Sequence, residues 1–168
     1  MGLITSPLPL SADHVTTGLH SGETSLDNWL QQRALKNQLS SSSRTHVICN
    51  EERIIGFYTL AAGSVERSKV PGNISRNAPD PIPVIILARL AVDEDFSGLG
   101  IGAGLLRDAL LRTLAVAGEV GAKAVLAHAL SAQAASFYLK YGFTSSPFDD
   151  MTLMLPVKHI QAHFTGDP

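Results

Sequence analysis

The chain of 168 residues has one cysteine, one tryptophan and no purely apolar run longer than the five residues from Val84 to Ala88. A single thiol excludes an internal disulfide, and with it a secreted disulfide scaffold. Cys49, following Val47 and Ile48, reads as a small buried strand residue rather than a nucleophile. The apolar runs fall far short of the roughly 18 residues a bilayer span needs, and the first twenty residues lack a cationic start followed by an apolar stretch, so neither a membrane helix nor a secretory signal is expected. Neither charge is in large surplus, with 13 Lys+Arg against 15 Asp+Glu and a net charge of -2. The remaining composition, 45% hydrophobic and 17% charged, suits one domain with a real core and is too apolar for disorder. A soluble, cytoplasmic protein is the expectation.

Thr24 and Ser25 are capping residues, and Leu26, Trp29, Leu30 and Ala34 follow at amphipathic-helix spacing, which predicts a helix to about Leu39, broken by Ser40–Ser43. Thr45–Cys49 and Ile54–Leu60, with Asn50, Glu51 and Glu52 between them, read as an antiparallel hairpin. Residues 70–83 carry Pro71, Pro79, Pro81 and Pro83 and read as a surface loop. Val84–Val92 is apolar enough for a strand buried on both faces. A glycine-rich turn, 97–104, leads to a helix from Leu105 to Arg112. A second strand and helix follow at Ala124–Ala129 and Ser131–Tyr141, then a last strand at Met151–Leu155. The expected architecture is one α+β domain over residues 1–160, with a sheet antiparallel at first and holding a parallel pair later, and a C-terminal tail over 161–168.

Glycines at 98, 100, 102 and 104, just before a helix, let backbone N–H groups approach a ligand, an arrangement suited to phosphate; the plain alternative is a tight turn. A Walker loop is excluded because Leu105 follows Gly104. A dinucleotide fingerprint through Gly98, Gly100 and Ala103 fits poorly, since the turn lies past mid-chain and the next strand ends in His128-Ala129 without an acidic residue. His159 and His163 are four apart but lack the intervening Glu of a zinc-protease helix, so no metal site is expected. Asp93, Glu94 and Asp95 read as a solvated turn, and no general base stands out. Helical spacing puts Ala134, Tyr138 and Tyr141 on one side, and periodicity does not choose which tyrosine faces the sheet.

Val92–Leu106 resembles motif A of the GNAT acyltransferase superfamily, a basic residue or Gln followed by x-x-Gly-x-Gly/Ala. Gly100 and Gly102 take the glycine positions, while Ser97 stands where Arg or Gln is usual. Ala134–Phe143, with Phe137, Tyr138, Gly142 and Phe143, resembles motif B. His20–Leu30, Ala34–Gln38, Arg76–Pro83 and Arg89–Asp93 further resemble the toxins of GNAT/ribbon-helix-helix toxin-antitoxin modules. The resemblance implies the GNAT fold, a mixed, mostly antiparallel twisted sheet with a central parallel pair, flanked by helices. It implies transfer of acetyl from acetyl-CoA to the α-amine of aminoacyl-tRNA, blocking translation, without a metal. Leu90, Ala91 and Val92 would present N–H groups to the acetyl carbonyl. Ser97, Gly98, Gly100, Ile101, Gly102, Ala103 and Phe137 would hold the cofactor, Tyr138 would be the acid, and Tyr141 is left to packing. The implied partners are a second copy in a homodimer and a ribbon-helix-helix antitoxin, the complex repressing its own operon by binding operator DNA that the toxin reaches only through the antitoxin; no membrane is involved.

A phenol near pKa 10 giving its proton to a thiolate near 8.5 works uphill by only ~1.5 units, about 2 kcal/mol. An α-amine near 7.7–8.0 is roughly a fifth to a third neutral at about pH 7.4, against about 0.1% for a lysine, so an enzyme without a strong base matches an α-amine. The charge is unevenly spread: residues 33–76 hold seven basic and three acidic residues, the remainder six basic and twelve acidic. Arg33, Lys36, Arg44 and Arg76 are the candidate RNA-facing cations. Arg89, charged within an apolar run, needs a partner or a nearby anion and is expected at the acceptor site. The alternatives are a GNAT enzyme for a small amine or protein N-terminus, and a nonenzymatic nucleotide- or nucleic-acid-binding module.

Overall fold

The computed structural model describes residues 4–165. Seven strands, β1 (Leu8–Pro9), β2 (Arg44–Asn50), β3 (Arg53–Val65), β4 (Ile82–Val92), β5 (Ala124–His128), β6 (Thr144–Ser146) and β7 (Asp149–Pro156), form one sheet in the order β1-β2-β3-β4-β5-β7-β6. β4 and β5 are parallel, while β1–β2, β2–β3, β5–β7 and β6–β7 are antiparallel. The α+β sheet with a single parallel pair is therefore the expected one. Two compact units divide the chain: the described residues up to Ala61 with Ala88–Ala109, and Ala62–Leu87 with those from Leu110 on.

In the first unit the predicted helix forms as α1 (Thr24–Trp29), one π-helical turn (Leu30–Ala34) and α2 (Leu35–Leu39). Its apolar stripe is buried: Leu30 and Ala34 join Leu10, Leu19, Val47, Cys49, Ile54, Phe57 and Ala91 in a core against which Leu26, Trp29 and Leu35 pack. The wide turn is invisible to a 3.6-residue period, since π bulges depart from that repeat within a single turn. Gly56 on β3 marks a close approach. A Cβ there would lie 3.1 Å from Leu105 Cδ1 and 3.2 Å from the Ala91 carbonyl oxygen, so only glycine lets that helix seat against the strand without displacement.

At the end of β4 the acidic turn is not wholly solvated. Glu94 and Asp95 are exposed, but Asp93 is 1% exposed. Its carboxylate accepts hydrogen bonds from Arg53 Nη2 at 2.7 Å and from the backbone N–H groups of His20 at 3.0 Å and Asp95 at 2.9 Å. Its own N–H donates to the Ile55 carbonyl, and Glu94 N–H donates to that of His20. Burial pushes the Asp93 pKa up. The bonds from His20 and Asp95 and the Arg53 guanidinium outweigh it and hold the carboxyl below its ordinary value.

The second unit has its own core, of Val70, Ile74, Ala78, Ile82, Val84, Ala124, Leu126 and Met154. The proline-rich segment is thus more than a surface loop: Gly72–Ser75 forms a short helix, α3, and β4 already starts at Ile82. Prolines bar continuous hydrogen-bonded structure, but Val70, Ile74 and Ala78 between them still reach the core. Helix α4 (Ile101–Glu119) begins in the first unit and continues into this one. The expected C-terminal tail differs too, because Val157–Thr165 forms a helix, α6, anchored by buried Ile160. Residues 161–165 extend that helix, and 166–168 lie outside the described residues. Among the described residues no helix is long and apolar enough to cross a membrane.

Asp93→Ala strands the three donors and is expected to lower unfolding free energy by about 1–3 kcal/mol in urea titrations, nearer the low end because Arg53 is 40% exposed. A depressed carboxyl pKa contributes stability that is present above the unfolded value near 3.9 and lost as pH falls through the folded one. The wild-type midpoint should therefore fall more steeply than that of the variant as pH is taken from about 6 toward 3.

Candidate active site

From the Asp93 clamp the chain makes a 3-10 turn over Glu94–Phe96 and enters the glycine segment. Gly98 (φ 76°) and Gly100 (φ 81°) take the left-handed conformation, and a Cβ on either would meet nothing within 4 Å, so the backbone there is open to a ligand. α4 follows at once, and Gly104 N–H closes the first helical bond onto the Gly100 carbonyl at 3.0 Å. The N–H groups of Ile101, Gly102 and Ala103 belong to the first turn, which has no intrahelical acceptors for them. The positive end of a 19-residue helix behind an open glycine backbone suits a pyrophosphate. Ser97 is exposed at the mouth, Ala91 is buried, and Leu90 and Val92 are half-buried. All the sequence-predicted cofactor residues except Phe137 thus fall on one stretch of the first unit.

Arg89, on the same stretch, is half-buried, and its guanidinium lies 4.2 Å from the Trp29 ring centroid. Trp29 in turn stacks on Phe57 at 6.3 Å with an interplanar angle of 9°. Burial lowers the Arg89 pKa, and among the described residues no carboxylate pairs with it. Trp29 was legible only as a helix-face residue. Its role as a platform for Arg89 depends on a strand 60 residues away in sequence. Arg33 and Lys36 are exposed. Arg44 is exposed but committed, donating from Nη1 to the Gln38 carbonyl at 2.6 Å and from Nη2 to Ser41 Oγ at 3.2 Å, which caps the end of α2. Arg76 is exposed and belongs to the second unit.

Helix α5 (Ala132–Lys140) is capped by Ser131 Oγ, which accepts from Ala134 N–H at 3.1 Å. It buries Tyr138 to 6% exposure, against Phe137 at 5.4 Å and Phe143 at 5.2 Å between ring centroids. Tyr141, expected to pack, is 38% exposed and packs against Phe137, ring edge to face at 5.1 Å between centroids. The helix ends at Lys140, so the angular spacing that relates the two tyrosines no longer holds at 141. Burial pushes the Tyr138 pKa up to about 12. The phenol is therefore protonated throughout the neutral range and is able to give a proton but not to take one. Against a thiol near 8.5 the transfer is uphill by ~3.5 units, about 5 kcal/mol, even to a fully formed thiolate.

The acetyltransferase (GNAT) domain family matches residues 41–145. The chain is 48% identical over 151 residues, 90% of each protein, to a tRNA-acetylating toxin of Mycobacterium tuberculosis (strain ATCC 25618 / H37Rv). It is also similar to the solved structure of AtaT complexed with acetyl-methionyl-tRNAfMet, with a TM-score of 0.88, 27% identity, and 96% and 99% of the two chains covered. A third match, at TM-score 0.83, 27% identity and coverage of 96% and 98%, is a Tyr-to-Phe mutant of the AtaT toxin bound to the C-terminus of the antitoxin AtaR and acetyl-CoA.

Gly100→Ala forces a Cβ into a left-handed conformation at a cost of about 1–2 kcal/mol. It is expected to raise the Kd for coenzyme A about tenfold in calorimetric titration while leaving Tyr138 and its helix unaltered.

Proposed function

The chain belongs to the GNAT acetyltransferase family, and from that premise we propose that it is an N-acetyltransferase toxin acting on the α-amine of aminoacyl-tRNA, with acetyl-CoA as donor and arrest of translation as the result. The observation that carries this reading is the 48% identity, over 90% of both chains, to a protein named as a tRNA-acetylating toxin. When bound, acetyl-CoA supplies an acetyl group activated as a thioester. The N–H groups from Gly98 to Ala103 hold its pyrophosphate, with Ser97 beside them and Phe137 against the cofactor. The N–H groups of Leu90, Ala91 and Val92 receive the charge that grows on the acetyl oxygen, worth several kcal/mol in a preorganised site. Tyr138, kept protonated by its burial, protonates the departing sulfur.

Arg33, Lys36 and Arg76 contact the RNA backbone, with Arg44 able to join them only by leaving its helix-capping contacts. Arg89 meets the acceptor end, its charge balanced there by an anion rather than by the protein. The toxin acts in the cytoplasm, forms a homodimer and is neutralised by a ribbon-helix-helix antitoxin, and the complex represses its own operon. Support for an antitoxin comes from the similar AtaT toxin, which is bound to AtaR.

Purified protein given labelled acetyl-CoA with charged and with deacylated tRNA should label only the charged pool. Label on deacylated tRNA, or on none, removes the tRNA-directed reading, and label on small amines or protein N-termini alone would favour a different GNAT acceptor. Tyr138→Phe is expected to fold normally and to lower kcat about a hundredfold, as loss of a positioned acid does, with little change in the Kd for acetyl-CoA. Robust transfer by that variant would take the acid role away from Tyr138.

A further inference from the structure

Acyl transfer to an α-ammonium group needs a base as well as an acid, and the residues placed so far supply only the acid. His128 closes β5 with its side chain exposed, directly opposite Thr152 of β7 in the antiparallel register. The Thr152 hydroxyl donates its one proton to Asp149 Oδ2 at 2.8 Å, since an ionised carboxylate only accepts. Toward His128 Nδ1, 3.0 Å away, the same oxygen must therefore accept, and Nδ1 must carry the hydrogen. In the neutral ring that leaves Nε2 as a bare lone pair. Asp149 is fitted to hold this arrangement. Met151 N–H at 2.9 Å and the Thr152 hydroxyl bring its pKa below the ordinary carboxylate value, against slight desolvation and with the nearby His128 acting in the same direction.

We propose that His128 is a second catalytic residue of the acetyl transfer, its Nε2 taking a proton from the acceptor's α-ammonium, with Thr152 and Asp149 as positioning residues that fix its tautomer. This rests on the acetyltransferase reading above. The residue stands at the carboxyl end of a strand in the parallel pair, the end at which such strands present ligands. Only two residues separate it from Ser131, the cap of the helix that carries Tyr138. The groups around it leave the tautomer argument intact. From β7 it faces Thr152 and the Asp149 carboxylate, the β4 residues paired with β5 (Val84–Leu87) carry no charge, and the charged side chain of α5, Lys140, lies at that helix's far end over the Tyr141 ring.

The proton balance closes. One proton passes from the α-ammonium to His128 Nε2 and then to solvent. The freed amine forms the C–N bond as the C–S bond breaks, the sulfur takes the Tyr138 proton, and the second proton lost by nitrogen restores Tyr138.

The test is His128→Gln and Thr152→Val, assayed with labelled acetyl-CoA on aminoacyl-tRNA from about pH 6.5 to about 9. His128→Gln should lower kcat tenfold or more at the acid end with an unchanged KM for acetyl-CoA. The deficit should shrink toward wild type above the α-amine range of about 7.7–8.0, where the acceptor is already neutral. Thr152→Val, which keeps the side-chain shape but removes the acceptor for Nδ1–H, should show the same pattern in smaller measure. A kcat equal to wild type at every pH, or a loss of the same size at every pH, overturns the role of His128 while wild-type transfer stands. A wild-type protein that labels no charged tRNA overturns the acetyltransferase reading, and this inference with it.

Discussion

The mouth of the glycine turn depends on a buried carboxylate that has no business in an apolar environment unless it is fully paired. Asp93 is paired on three sides, by a side chain from β3, by the segment before α1 and by the turn that follows β4. Each of those contacts fixes a different piece of chain relative to the start of the glycine segment. Arg53 ties the turn to the hairpin, His20 brings in the approach to the helix that carries Trp29, and Asp95 shapes the turn itself. The left-handed glycines come shortly after this clamp, so the direction in which their N–H groups point is set by a charge five to seven residues upstream. The same logic explains why Gly56 suits its place: the strand bearing Ile55, which accepts the Asp93 N–H, also lies flush beneath Leu105 of α4, where a Cβ would crowd its neighbours.

Tyr138 shows the opposite use of burial. Asp93 is buried with donors that favour its charged form, whereas Tyr138 is buried among aromatic rings that favour its neutral form. The first is locked as an anion; the second is held as a neutral phenol. A phenol raised to about 12 keeps its proton against every resting group, and the acid role proposed for it asks the site to assist a transfer that is uphill even once the C–S bond has broken. Loss of that proton to solvent is thereby suppressed.

Much of the sheet was legible because its central strands are written in runs with local signals. Val84–Val92 and Ala124–Ala129 were placed within two residues of their observed bounds, whereas the helix expected over Leu105–Arg112 runs from Ile101 to Glu119 and takes in half of the expected glycine turn. What was missed shares a physical cause. β1 and β6 have two and three residues, too short for any periodicity. The π turn within the first helix departs from the helical repeat for only five residues. Val70, Ile74 and Ala78 lie among prolines that mask their burial. At the site, the glycines and the aromatic pair of α5 carry a local pattern, but the burial of Asp93 is decided by Arg53, forty residues earlier, and the tautomer of His128 by a threonine twenty-four residues later. Side-chain interactions between residues distant in sequence leave no mark on composition or spacing.

The same pairing changes the meaning of the basic stretch between residues 33 and 76. The sequence places seven cations there, but Arg53 is spent on Asp93, Arg44 on the end of α2, Arg67 on the Ser75 carbonyl, and Lys69 sits 3.8 Å from Glu66. Arg33, Lys36 and Arg76 keep exposed heads without partners among the described residues, and Arg89 adds a fourth cation held by a ring rather than by an acid. A cation stacked on an aromatic face keeps its full charge and loses part of its hydration, so it gains more from an incoming anion than a surface ion pair does. The electrostatic case for RNA thus rests on few residues, and on how little the protein itself has neutralised them, rather than on the size of the surplus.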